Sequence, residues 1–165
     1  MKQQLTIYIT LLITVSVIAF IANALINRMA KTTNSDNTQG SYLLFKSGIF
    51  LSIGYILAGL VIPFMTLWRI IENSNPENLL SRLSEFYVVF IVIAVTLIAL
   101  NYAISFILFN LFYGKSKLSF ALANNEVLAV ALFIGLLLLT LFVSKEILPH
   151  VIDTIIPYPQ TPIYR

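Results

Sequence analysis

The chain has 165 residues, of which 59% are hydrophobic and 10% charged, with a formal net charge of +3. Its mean hydropathy is +0.92. Soluble domains are nearer ~45–50% apolar and ~25% charged. A water-soluble fold of this length cannot cover so much apolar surface with so few charges. That excludes an ordinary cytosolic enzyme, a disordered chain and a direct nucleic-acid binder, and it implies a polytopic membrane protein.

The absence of cysteine removes disulfides, thiol exchange, iron–sulfur clusters and thiolate metal sites. One histidine, His150, cannot supply bis-histidine haem ligation or a histidine cage. No cofactor and no metal site is expected. The lysines and arginines are scattered, with no run of four. They read as juxtamembrane charges at a negative lipid surface rather than as an anion site.

A spanning helix needs ~20 predominantly apolar residues, and four segments qualify: about 5–26, 42–67, 86–113 and 127–143. The first lies between Lys2 and Arg28. Ala22-Asn23-Ala24 gives it the look of a cleavable leader, but its length suits a retained span. Residues 28–41, rich in Ser, Thr, Asn and Gly, read as a flexible loop. The second span has Lys46 near its start, and Gly54 and Gly59 before Pro63 predict a kink that accommodates packing. In residues 69–85, Asn75-Pro76-Glu77 has the signature of a helix start. Leu79, Leu80 and Leu83 then share a face, which predicts a short amphipathic helix at the interface. The third span ends before Lys115 and Lys117. Residues 114–126 read as a loop. The fourth span lies between Glu126 and Lys145. Pro157, Pro159 and Pro162 predict an extended tail over 157–165.

The continuous apolar runs favour helices over a barrel. The expected fold is all-α: one domain over 1–165, an up–down bundle of four transmembrane helices, with the interfacial helix between spans two and three. Both termini then share one side. Lysine and arginine divide five against five between the sides, so the positive-inside rule is balanced. Arg165 lies far from a span end, which tilts the reading towards termini outside.

No acid, base or histidine lies deep in a span. Coupled transport and voltage sensing need such groups, and nucleophile–base catalysis needs motifs that are absent. An enzyme is therefore not expected. Neutral polarity remains: Asn23 near the end of span one, and Asn101 near the middle of span three, with Tyr102 and Ser105 close by. A buried amide is costly without hydrogen bonds. These residues read as packing glue between helices, with pore lining as the rival role. Small residues at spacing four, namely Gly48/Ser52, Gly54/Ala58, Ala99/Ala103 and Ala131/Gly135, are candidate close-packing positions.

Val15-Ser16-Val17-Ile18-Ala19 aligns with Val95-Thr96-Leu97-Ile98-Ala99. Asn37 precedes Gly48 by eleven residues, as Asn124 precedes Gly135. This pattern implies two hairpin repeats, 1–68 and 86–148. The stretch from Asn37-Thr38 through Ser47-Gly48 to Gly54-Tyr55, echoed by Asn124-Asn125, Ala129-Val130-Ala131 and Gly135, resembles the YjfL-like family of small four-span bacterial membrane proteins. That resemblance implies a bacterial inner-membrane bundle and no particular activity.

The functional expectation is an integral membrane subunit that anchors or scaffolds, assembling with itself or with a membrane complex. The alternatives are an oligomeric pore or conductance effector, and a lipid-interacting protein. The lipid bilayer is the one partner common to all three.

Overall fold

A computed structural model describes residues 2–33, 40–74, 79–114 and 118–156. Its elements are α1 (Lys2–Thr33), α2 (Gly40–Ala58), α3 (Val61–Ser74), α4 (Leu79–Tyr113), α5 (Leu118–Ala123) and α6 (Val127–Asp153). Four stretches are long and apolar enough to cross a membrane: Tyr8–Lys31, Gly40–Asn73, Ser81–Tyr113 and Val127–Asp153. The chain is an all-α, four-span integral membrane protein. Asn37, the Asn75-Pro76-Glu77 start signal, Lys115, Lys117 and the 157–165 tail lie outside the described residues.

Helices follow from the solvent: hydrocarbon offers the backbone no partners, so each span must satisfy its own N–H and C=O groups. α6 is central and packs on both α2 and α4, while α1 lies against α2, and α3 against α4. Contacts place the C-terminus of α1, the start of α2, α5 and the start of α6 together at what we term the loop end. At the opposite, terminal end, Phe64 of α3 meets Tyr87 and Phe90 of α4 edge-on, at 5.3 and 6.4 Å between ring centroids. The core centres on Phe133 of α6. It sits 5.9 Å from Phe45 of α2, and 5.5 and 5.9 Å from Tyr102 and Phe109 of α4.

Several boundaries differ from the sequence-based expectation: α1 runs on to Thr33 through the first part of the expected 28–41 loop, and three others have a local cause. The second span is two helices, broken at Gly59–Leu60. Pro63 explains the break, because its ring collides with the carbonyl four residues back, that of Gly59. Gly59 and Leu60 instead donate three residues back, to Ile56 O (3.0 Å) and Leu57 O (3.1 Å). Pro63 then falls in the first turn of α3, where a missing N–H costs little.

The interfacial helix expected within 69–85 is not a separate element. From Leu79 onward those residues are the first turns of α4, which continues to Tyr113 over 35 residues. No glycine or proline interrupts that stretch, so a helix once nucleated propagates through it. At 1.5 Å per residue it is about 50 Å long, more than the ~30 Å hydrocarbon thickness, so it projects beyond the apolar layer. The third difference is at the C-terminus: α6 passes Lys145 and Pro149 and ends at Asp153, well beyond residue 143.

α5 occupies part of the expected 114–126 loop, burying Leu118, Ala121 and Leu122. It ends in a Schellman motif. Glu126 N–H donates to Ala121 O at 2.8 Å and Asn125 N–H to Leu122 O at 3.3 Å. Asn125 holds the left-handed position at φ 55°, which asparagine tolerates better than most residues.

Gly48 is where a side chain has least room. A Cβ there would overlap the side chain of Ile134, whose Cγ1 and Cγ2 would both lie at 2.9 Å, whereas one at Gly135 or Gly54 would meet nothing within 4 Å. Gly48→Val is expected to destabilise the protein by about 1–3 kcal/mol through overpacking. Gly135→Ala should change stability by less than about 0.5 kcal/mol. Unfolding midpoints in detergent check both.

Candidate functional site

Two of the buried polar residues, Asn101 and Ser105, lie on the seam between α4 and α6. Asn101 is 1% exposed and Ser105 is fully buried. They are one helical turn apart and so share a face. Thr140 and Ser144 repeat this spacing on α6. The two helices run antiparallel, so four residues forward along α4 from Asn101 to Ser105 match four residues back along α6 from Ser144 to Thr140. Each polar group therefore meets one of the other pair.

Ser144 Oγ donates to Asn101 Oδ1 at 2.9 Å. The Asn101 amide nitrogen donates to Leu97 O at 2.7 Å, tying the side chain to its own helix. Ser105 Oγ and Thr140 Oγ1 lie 3.1 Å apart. Each also reaches a carbonyl on its own helix: Asn101 O at 2.7 Å for Ser105, Leu137 O at 2.9 Å for Thr140. Each hydroxyl has one proton, so two of these three contacts are hydrogen-bonded at any moment. Such back-bonding to a carbonyl one turn earlier lets a hydroxyl sit in apolar surroundings without desolvation loss.

The remaining sequence-predicted residues are dispersed. Tyr102, half-buried, packs its ring against Phe133 and faces a different direction from Asn101. Asn23 on α1 is not part of the seam. Its Oδ1 is buried with no hydrogen-bond partner among the described residues, as is Trp68 Nε1. Gly48 and Ser52 are buried in α2. Ala58, Ala99, Ala103, Ala131 and Gly135 lie on exposed faces, and Gly54 is half-exposed. Among the described residues, no three His, Asp or Glu side chains stand close enough to hold a metal ion.

Of the repeat asparagines, Asn124 is exposed in the α5–α6 turn, and Asn125 has a defined role. Its Oδ1 accepts from the Ser41 N–H at 3.0 Å, capping the first turn of α2 from another part of the chain. Nearby, Tyr42 Oη donates to Asn27 Oδ1 at 2.8 Å and Tyr113 Oη to Glu126 Oε2 at 2.7 Å. The loop end is thus closed by side chains from α1, α2, α4 and the α5–α6 turn. Thr140, Ser144 and Asn27 were not singled out from sequence. The one signal for the first two was their four-residue spacing, matching that of Asn101 and Ser105.

Single substitutions Asn101→Leu and Ser144→Ala are each expected to cost about 0.5–2 kcal/mol. In a double-mutant cycle they should couple by about 0.6 kcal/mol, the average for hydrogen bonds between membrane helices. Asn125→Gly keeps the left-handed turn and loses only the cap, so it should cost about 1 kcal/mol. Asn125→Ala loses both and should cost roughly 1 kcal/mol more. Reversible unfolding in detergent measures all four. No family model, curated protein or solved structure matches this chain.

Proposed function

We propose that the protein is a membrane-embedded subunit that works by assembly, as an anchor or scaffold for itself or for a membrane complex. One observation carries this reading: the polar groups of the α4–α6 seam bond to one another and to their own helices. A conductance through the seam would need Asn101 to face water, and instead its amide oxygen is taken by Ser144. Long apolar faces are left to meet lipid or partner helices. On α1, Leu12 is 68% exposed and Phe20 74%; on α4, Leu111 is 75% exposed.

The same reading seats the chain in a bacterial inner membrane with both termini outside, and membership of the YjfL-like family fits with it. The anionic cytoplasmic leaflet attracts basic segments near spans. The connections 28–46 and 114–126 carry five bases against two acids, which supports placing them on that side.

Reconstitution of the full chain into liposomes tests the proposal, with ion flux and copy number measured together. The expected result is more than one copy per assembly and no flux above that of empty vesicles, for the parent and for Asn101→Leu alike. A flux that Asn101→Leu abolishes would favour the pore reading and overturn this one.

A further inference from the structure

A cavity among the described residues lies apart from the polar seam. It lies among α1, α2 and α4, in the half of the bundle nearer the loop end, and has a volume of about 360 Å³. That is within the ~300–1,000 Å³ range of small-molecule sites. Burial shows which way it faces. Its floor is α2, where Phe45, Ser52 and Ile53 are buried, with Leu137 of α6 behind. Its lips are exposed: Ile21 at 53% and Leu25 at 59% on α1, Val95 at 43% on α4. The cavity is therefore a cleft that opens sideways between α1 and α4, towards the bilayer. Towards the terminal end α1 and α4 are joined, because the Tyr87 hydroxyl meets the Thr14 hydroxyl and lies 3.3 Å from Thr10 O. The cleft is closed below, at the terminal end, and opens sideways between α1 and α4.

Its lining is almost wholly hydrocarbon, with Tyr102 and Ser52 the polar exceptions. The charges lie at its upper margin. Arg28 precedes the lining Met29, and Lys46 follows the lining Phe45. Neighbouring residues stand about 100° apart round a helix, so each cation flanks the lining face. Arg28 is five residues from the end of α1 and Lys46 six from the start of α2. Both therefore lie about 8–9 Å below their own helix ends. Lys46 Nζ sits 5.9 Å from the Phe50 ring centroid. Among the described residues, neither cation has an acidic partner, and the one acid of the α5–α6 turn, Glu126, is bonded to Tyr113. The chain's whole net charge of +3 falls at this end. The connections 28–46 and 114–126 carry five bases against two acids, and the remainder five against five.

An apolar, laterally open cleft flanked by basic side chains one to two turns inside the helix ends matches one kind of occupant. We propose that it binds an anionic phospholipid. One acyl chain lies along Ile53, Val95 and Ala99, and the phosphate is held by Arg28 and Lys46. Long basic side chains reach the headgroup layer from this depth. An uncharged lipid would gain the same burial and leave both cations unmatched. The site does not depend on assembly, since one copy contains all of it.

Native mass spectrometry of the full chain in detergent, equilibrated with palmitoyl-oleoyl phosphatidylglycerol or the matching phosphatidylcholine, tests the proposal. The parent should retain one phosphatidylglycerol with a preference of roughly tenfold or more, as two basic side chains at a headgroup supply. Ala99→Phe fills the cleft from an exposed position, so it should fold and lose lipid of both kinds. Ala103→Phe, exposed on α4 outside the cleft lining, should retain it. Arg28→Gln/Lys46→Gln should still bind lipid and lose the preference. Equal retention by Ala99→Phe and the parent would overturn the site, and so would a preference untouched by the charge substitutions. A dimer that Ala99→Phe dissolves, with no lipid bound, would assign the cleft to a second copy and likewise overturn the proposal.

Discussion

In hydrocarbon a polar group has no water to bond with, and the helices and the α4–α6 seam of this fold both answer that constraint. It makes the spans helical, because helices alone among open structures satisfy their own backbone. It also fixes where side-chain polarity can go. Asn101, Ser105, Thr140 and Ser144 form one chain of contacts across α4 and α6. The antiparallel register brings them opposite each other, and a slip of one turn either way would leave only one polar pair facing across the seam. Helix association in lipid has no hydrophobic drive of its own. The seam therefore combines close packing around Phe133 with a small number of directional bonds.

The two ends of the bundle use polarity differently. At the loop end, Asn125 links the α5–α6 turn to the start of α2. One residue thereby closes α5, turns the chain and caps α2. At the terminal end the joint between α2 and α3 has no side-chain cap. Gly59 and Leu60 close it with short-range bonds that Pro63 makes necessary. Gly59 also lies close against α6, where a Cβ would stand 3.2 Å from the Leu148 side chain. The break is thus held by tertiary packing.

The four spans were legible because apolar length is a strong signal and membrane helices leave few alternatives. Asn101 and Ser105 were legible because a lone amide in a span must find a partner. Their partners were not, since threonine and serine in an apolar helix can bond to their own backbone and a sequence does not show which helices adjoin. The residues from Leu79 to Ser84 carry leucines on one face, the pattern of an interfacial helix. They prove to be an extension of α4, since amphipathicity alone does not distinguish a helix lying on the membrane from one leaving it. α5 has no periodic signature in the sequence, because six residues are too few to show one. The cleft was not legible either, because it depends on α1 and α4 meeting at Tyr87 and separating beyond it.

Side-chain hydrogen exchange of the full chain in lipid bilayers, followed by solid-state NMR after transfer to deuterated water, tests most directly whether the seam is dry. If the polar groups are used by one another, the Asn101 amide protons should persist as long as the backbone amides of mid-span α4. Exchange of those protons at the rate of an exposed asparagine would show water at the seam and contradict the account.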